Sequence, residues 1–330
     1  MSDASPVKTP FPSPKCWCGN SGVVPFSPHY QRCPACETLV AIRRPQGDIT
    51  KVDADEQGLY GRDYWFGHQE QDVGLPNIES RAKSDLSERD LHWLATVLKY
   101  KLPPAKVQEL GSAHGGFVAL LRWAGYDATG LELSPWIVEY ARKTFQVPML
   151  LGPLEAQPIE PGSLDVLALM DVMEHLPDPL ATMSHGVKLL KPDGVAIIQT
   201  PAYPEGVSYE ELEARDDYFL NHMRGKHEEH LFLFSRGSAR ELFSRLGCGF
   251  VEFEPAIFSQ YDMYFVVSRG DPAQSTAEQI DAALESTPAG RLVQALLGAA
   301  RQRDYYLQEA TARLKVIEGL AAEVERLRGR

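Results

Sequence analysis

Val107-Gln108-Glu109-Leu110-Gly111-Ser112-Ala113-His114-Gly115-Gly116, followed by Gly130-Leu131-Glu132-Leu133, decides how this 330-residue chain is read. An apolar strand runs into a turn of small residues that opens a helix, and about twenty residues later a second strand ends in a carboxylate. An open α/β sheet holds a nucleoside in this way. Small residues at 111, 113, 115 and 116 let a ligand approach the backbone closely. The helix starting near Phe117 aims free N–H groups and its positive dipole end at that ligand. Glu132 is placed to accept both ribose hydroxyls, a role that suits an ionised carboxylate.

A dinucleotide fingerprint would read Gly-x-Gly-x-x-Gly, whereas this turn reads Gly111-x-Ala113-x-Gly115, with Glu109 two residues before it. That order points away from a pyrophosphate. The run resembles motif I of the class I S-adenosylmethionine-dependent methyltransferases, with Ala113 at the second glycine. Further segments resemble the same family in order. Leu164 to Asp171 is similar to its fourth strand, Val172-Met173-Glu174-His175-Leu176-Pro177-Asp178-Pro179 to the loop that follows, and Val195 to Pro201 to its fifth strand. The resemblance implies a Rossmann-like α/β fold with a seven-stranded sheet and S-adenosylmethionine as cofactor. It also implies roles. Glu109, Gly111, Ala113 and Gly115 shape the turn under the methionine part of the cofactor, and Leu133 packs on the adenine. The acid that often meets the adenine amine falls in Gly152-Pro153-Leu154-Glu155, where proline takes its place and the contact passes to Glu155 or to a backbone group. Asp171 ends its strand at the carboxyl edge, where such sheets bind ligands, or else caps its loop.

Composition bounds the remainder. The formal net charge of −12 argues against tracking a phosphate backbone, so nucleic acid is not an expected partner. The N-terminus has neither a basic region nor an apolar core, and no apolar run reaches the length of a membrane span, so a cytoplasmic location is expected. In that compartment cysteines stay reduced. Cys16, Cys18, Cys33 and Cys36 form two close pairs at hairpin spacing, the set for one tetrahedral structural zinc, although the first pair is Cys-x-Cys. Many sugar-modifying members of the family carry such an N-terminal module. Cys248 reads as a small buried hydrophobe.

Four parts are expected: a disordered stretch 1–14, a zinc module with an aromatic connector from Leu59 to Phe66 over 15–75, the methyltransferase domain over 76–270, and a helical tail over 271–330. Ser84 to Lys101 has apolar residues at helical spacing. Strands are expected near 107–110, 127–133, 147–151, 164–170 and 194–200, with helices near 115–124, 135–145 and 180–191. A helix from Ser238 to Leu246 and an antiparallel pair, Cys248 to Phe258 and Met263 to Val267, complete the pattern. In the tail Ile317, Leu320, Val324 and Leu327 follow a coiled-coil spacing, which suits self-association or docking on a partner, or simply a solvated helix.

The acceptor side is read from the polar insertion 202–232, which ends His227-Glu228-Glu229-His230-Leu231-Phe232-Leu233-Phe234-Ser235. Long loops above such a sheet commonly form a lid. The segment resembles one in methyltransferases acting on sugars, where a Glu–His pair faces the substrate. That carries Glu229 and His230 over as orienting carboxylate and general base, with His175 as a second candidate base. Packing under the loop is the alternative for both histidines. Tyr60 and Tyr64 either line the pocket or belong to a core. The expected activity is methyl transfer to a hydroxyl of a sugar or glycan precursor. C-methylation of a keto-deoxy nucleotide sugar and a non-catalytic cofactor-binding scaffold are the alternatives.

Overall fold

The structure is a computed structural model that describes residues 15–43, 52, 60–72, 76–224 and 229–328. The expected disordered stretch 1–14, Leu59 of the connector, and His227 and Glu228 of the insertion lie outside the described residues. Three short strands come first: β1 (Val24–Pro25), β2 (Tyr30–Arg32) and β3 (Leu39–Ala41). Helix α1 (Ile78–Asp85) starts after Asn77, whose side chain accepts the Ser80 N–H at 2.9 Å. A π-helical turn, Leu86–Asp90, joins it to α2 (Leu91–Tyr100). The helix expected from Ser84 thus begins at Ile78, because the cap lies in a polar stretch that apolar periodicity does not mark.

Strand and helix then alternate as expected: β4 (Lys106–Leu110), α3 (Gly116–Trp123), β5 (Asp127–Glu132), α4 (Pro135–Phe145), β6 (Met149–Leu151), β7 (Leu164–Met170), α5 (Pro179–Leu189) and β8 (Leu190–Pro201). Within the insertion lie α6 (Tyr209–Ala214) and α7 (Leu220–Arg224). The chain continues through β9 (Phe232–Leu233), α8 (Arg236–Arg245), β10 (Phe250–Glu254), β11 (Asp262–Ser268), α9 (Ala277–Glu285) and α10 (Pro288–Arg328).

The large sheet has seven strands in the order β10-β11-β8-β7-β4-β5-β6, parallel from β8 to β6 and antiparallel through β11 and β10. Its inner strands β7, β8 and β11 are buried on both faces, so they read as nearly continuous apolar runs. Val166 and Ala168 face the core that includes Leu94, Phe117 and Leu121, while Leu167 and Leu169 face the one that includes Met183 and Phe243. From β4 the chain steps outward to β5 and β6, then returns to lay β7 on the other side of β4. This reversal opens a crevice at the carboxyl ends, the place where open α/β sheets bind ligands. Register brings Leu110 beside both Leu131 and Leu169. Gly111, Glu132 and Asp171 therefore meet at one edge.

Two features were not visible in the sequence. The N-terminal strands form a second sheet with β9, in the order β1-β2-β3-β9, with Leu39 opposite Leu233. In the tail, Leu284, Val293 and Leu297 are buried in the main core, whereas Ile317, Leu320, Val324 and Leu327 are exposed. No helix among the described residues is long and apolar enough to cross a membrane.

Candidate functional site

A cavity of about 820 Å³ occupies the crevice and extends under the insertion. Gly111 and Ala113 line it with positive φ of 66° and 43°. A Cβ on Gly111 would stand 2.5 Å from Cγ2 of Val172, so only glycine lets the loop after β7 close over the turn. Gly115 and Glu109 do not line the cavity. Gly115 starts α3 at φ 82°, and a Cβ there would press on Ala141 and Val147 at 3.0 Å, so its small size serves packing. Glu109 is buried behind the wall near Asp90. Burial and the Asp90 charge push the Glu109 carboxyl well above its usual range. Burial and the Asp85 charge push Asp90 up to about 7.

Glu132 stands at the end of β5 and lines the cavity. One carboxylate oxygen accepts the Leu133 N–H at 2.7 Å and the other the Ala113 N–H at 3.2 Å. Burial raises its pKa, and these backbone donors, with Ser134, oppose that shift. The first oxygen also takes the Ser134 N–H at 3.4 Å, so of the two acceptor positions on each oxygen the free one lies on the oxygen that faces Ala113, where a ligand hydroxyl can donate. Leu131, Leu133 and Leu154 supply apolar wall beside it. Glu155 also lines the cavity and accepts the Thr182 hydroxyl at 2.6 Å.

Arg81 and Arg89 also line the cavity and were missed in the sequence, because charged residues on a helix read as a solvated face. Asp85 holds both. Its carboxylate is 2.9 Å from Arg81 Nε, 3.7 Å from Arg89 Nε and 3.0 Å from His114 Nε2. Burial alone would raise the Asp85 pKa, but the His114 hydrogen bond and the two guanidinium charges bring it to about 2. Burial lowers the His114 pKa. Asp171, at φ 58°, lines the cavity, accepts Gln199 Nε2 at 3.0 Å and pairs with Arg89 at 3.4 Å.

At the end of the cavity under the insertion the structure gathers His175, Glu229 and His230 and adds Glu174. The imidazole centroids of His175 and His230 are 4.9 Å apart. His175 Nδ1 lies 3.0 Å from the Glu229 carbonyl, and His230 Nδ1 lies 3.0 Å from the His222 carbonyl. The Glu229 carboxylate accepts the Tyr64 hydroxyl at 2.9 Å. Tyr60 and Tyr64 both line the cavity, and Tyr64 also packs against the small core of Trp65, Ile78 and Ile137. Further out, Tyr261 stacks between Tyr218 and Phe258. The backbone here is fixed from two sides. Leu231 N–H donates to Glu174 O at 2.8 Å, and Ala41 N–H donates to Leu231 O at 3.0 Å.

The four N-terminal cysteines converge. Cys16 Sγ is 3.5 Å from Cys36 Sγ, and Cys18 Sγ is 3.6 Å from Cys33 Sγ. Thiolates at about 2.3 Å from a tetrahedral zinc stand roughly 3.8 Å apart, so this set could hold one. Hydrogen bonds from Cys16 and Thr38 draw the Cys36 thiol down to about 5. Cys248 is buried, as expected.

A family model described as a methyltransferase domain matches residues 82–252. The ubiquinone biosynthesis O-methyltransferase of Xanthomonas campestris pv. campestris is 31% identical over 129 residues, covering 36% of this chain and 54% of that protein. The protein of the same name from Thiobacillus denitrificans is 25% identical over 159 residues, covering 46% and 65%. The chain thus spans about half the length of the first of these curated relatives. Among solved structures, Haemonchus contortus phosphoethanolamine N-methyltransferase 2 with S-adenosyl-L-methionine superposes at a TM-score of 0.48 and 14% identity, over 64% of this chain and 60% of that one. A Haloferax volcanii methyltransferase solved with its Trm112 activator gives 0.46 and 18%, over 59% and 98%.

Proposed function

The chain belongs to the methyltransferase-domain family, and on that premise we propose that it transfers a methyl group from S-adenosylmethionine to a hydroxyl oxygen of a small polar acceptor. The observation that carries this reading is one cavity with Glu132 and the Gly111 turn at one end and Glu174, His175 and His230 at the other. The bound cofactor supplies a sulfonium methyl whose leaving group is neutral, so the chain has mainly to align, desolvate and deprotonate. Glu132 takes the ribose hydroxyls. Leu133 and Leu154 cover the adenine, and Arg81 and Arg89 attract the amino-acid carboxylate. The imidazoles at the far end take the acceptor proton.

The names of the relatives support oxygen as the methylated atom and lend no support to a sugar. The stacked faces of Tyr218, Tyr261 and Phe258 suit the flat side of either a sugar ring or an aromatic ring. A structural zinc on Cys16, Cys18, Cys33 and Cys36 belongs to the same proposal. Calorimetry with S-adenosylmethionine and its demethylated product tests the cofactor. Mass-spectrometric screening of polyhydroxylated sugars and aromatics tests the acceptor. Wild-type protein that binds neither cofactor form sinks the reading, and binding without turnover on any acceptor favours the scaffold.

A further inference from the structure

We propose that Glu174, His175 and His230 hold a divalent first-row metal ion at the acceptor end of the cavity, separate from the cysteine cluster, where it binds the acceptor's oxygens. The inference rests on the methyltransferase reading and replaces the imidazole base with a cation.

The donor atoms converge. One from each residue lies within 4.8 Å of the other two, and all three residues line the cavity. His175 Nε2 is 3.7 Å from Glu174 Oε1. Two ligands at about 2.1 Å from one ion stand roughly 3–3.5 Å apart, so small side-chain shifts close the site. Tautomers agree with this. A carbonyl oxygen only accepts, so Nδ1 of His175, facing Glu229 O, and Nδ1 of His230, facing His222 O, each carry the proton. The lone pair of each ring therefore sits on Nε2. Metal-bound histidines show this arrangement, one nitrogen on the ion and the other donating to a carbonyl. The second oxygen of Glu174 accepts the Thr200 hydroxyl at 2.8 Å, which orients the carboxylate. The backbone is held as well, by Leu231 N–H on Glu174 O and Tyr30 OH on His230 O.

Two imidazoles and one carboxylate suit manganese, iron(II) or zinc and leave further coordination positions open. An acceptor with two adjacent oxygens, a vicinal diol or its aromatic equivalent, would fill two of them. Binding a cation acidifies the hydroxyl, whose proton leaves to solvent. That oxygen then uses its electron pair to form the new C–O bond as the S–C bond breaks, and sulfur keeps the released pair as a neutral thioether.

The test uses zinc-replete full-length protein stripped of other metals and titrated with Mn²⁺, free ion being read by electron paramagnetic resonance. One Mn²⁺ per chain is expected, with affinity lowered at least about tenfold by Glu174→Gln or His230→Gln while the zinc content of both variants stays unchanged. Electron spin-echo spectra of the wild type should show two imidazole nitrogens. Binding of S-adenosylhomocysteine serves as the control for folding and for the methyltransferase reading. Intact binding of that product with no bound Mn²⁺, with one imidazole or none, or with Mn²⁺ affinity unchanged in both variants, overturns the cation site. Wild-type protein that fails to bind the product sinks the methyltransferase reading instead.

Discussion

The hydroxyl of Tyr30, fully buried in the N-terminal sheet, donates to the main-chain carbonyl of His230 at 3.0 Å, 200 residues away in sequence. With β3 paired to β9, it ties the cysteine module to the backbone that carries His230. His230 is placed by the module, while Glu132 is placed by β5.

That division predicts how damage to the module spreads. Cys36→Ser should remove a stoichiometric zinc, lower the melting temperature and reduce turnover, while affinity for S-adenosylhomocysteine changes by less than about twofold. Elemental analysis, thermal melts and calorimetry on one preparation check all three. Protein purified with no zinc and normal turnover would remove the structural role.

Glu132→Ala should weaken cofactor binding by about 1.5–3 kcal/mol, the range for hydrogen bonds to a charged group. Ala113 and Leu133 also lose their acceptor, so part of the loss is reorganisation of the turn. Glu132→Gln, which keeps an acceptor, should lose less. Calorimetry giving equal affinities for all three proteins would place the ribose elsewhere.

His230→Ala should lower turnover by roughly 10²–10⁴ with cofactor affinity nearly unchanged, whether the ring acts as base or as ligand. His175→Ala should have a comparable effect, because its ring shares the same end of the cavity. Single-turnover rates on one acceptor compare them. Transfer that survives both substitutions would mean alignment alone suffices.

Asp90 sets a pH dependence of stability. Its carboxyl is raised from 3.8 to about 7 in the fold, chiefly by burial and then by Asp85. Below pH 4 both folded and unfolded states are protonated and nothing is lost. Between pH 4 and 7 only the unfolded chain ionises, so stability falls as pH rises, by on the order of 4 kcal/mol in total above pH 7. Asp90→Asn should therefore stabilise the protein at pH 8 and have little effect near pH 4. Denaturant titrations at the two pH values check the sign, and an equal effect at both would show that Asp90 does not ionise differently on folding.

The tail should divide in two. Leu297→Ala should cost about 2–3 kcal/mol, because that side chain is buried in the main core. Deleting 302–330 should leave the melting temperature nearly unchanged. If the Ile317, Leu320, Val324 and Leu327 stripe pairs with a second copy, the deletion also halves the mass seen by sedimentation equilibrium. A full-length protein that sediments as a monomer would leave that stripe solvated.

The sheet, and the crevice edge where Gly111 and Glu132 meet, were legible in the sequence. Alternating apolar strands and amphipathic helices are local patterns, and Gly111 and Glu132 sit at fixed offsets from strand ends, so strand register alone brings them together. The sequence also placed the four cysteines, since short spacing forces each pair into a turn. Only the tertiary structure decided the rest. Glu109 carries the acid of motif I yet lies behind the wall, because which way a strand side chain faces depends on what packs against it. Arg81 on α1 and Arg89 on the π-helical turn reach the cavity from polar faces that look like any solvated surface. Glu174 and His230 meet because β9 crosses to the N-terminal sheet, a long-range pairing of two residues with no local signature. Chemistry fixed by neighbours along the chain can be read from the chain; chemistry assembled from distant segments depends on packing, which sequence pattern does not encode locally.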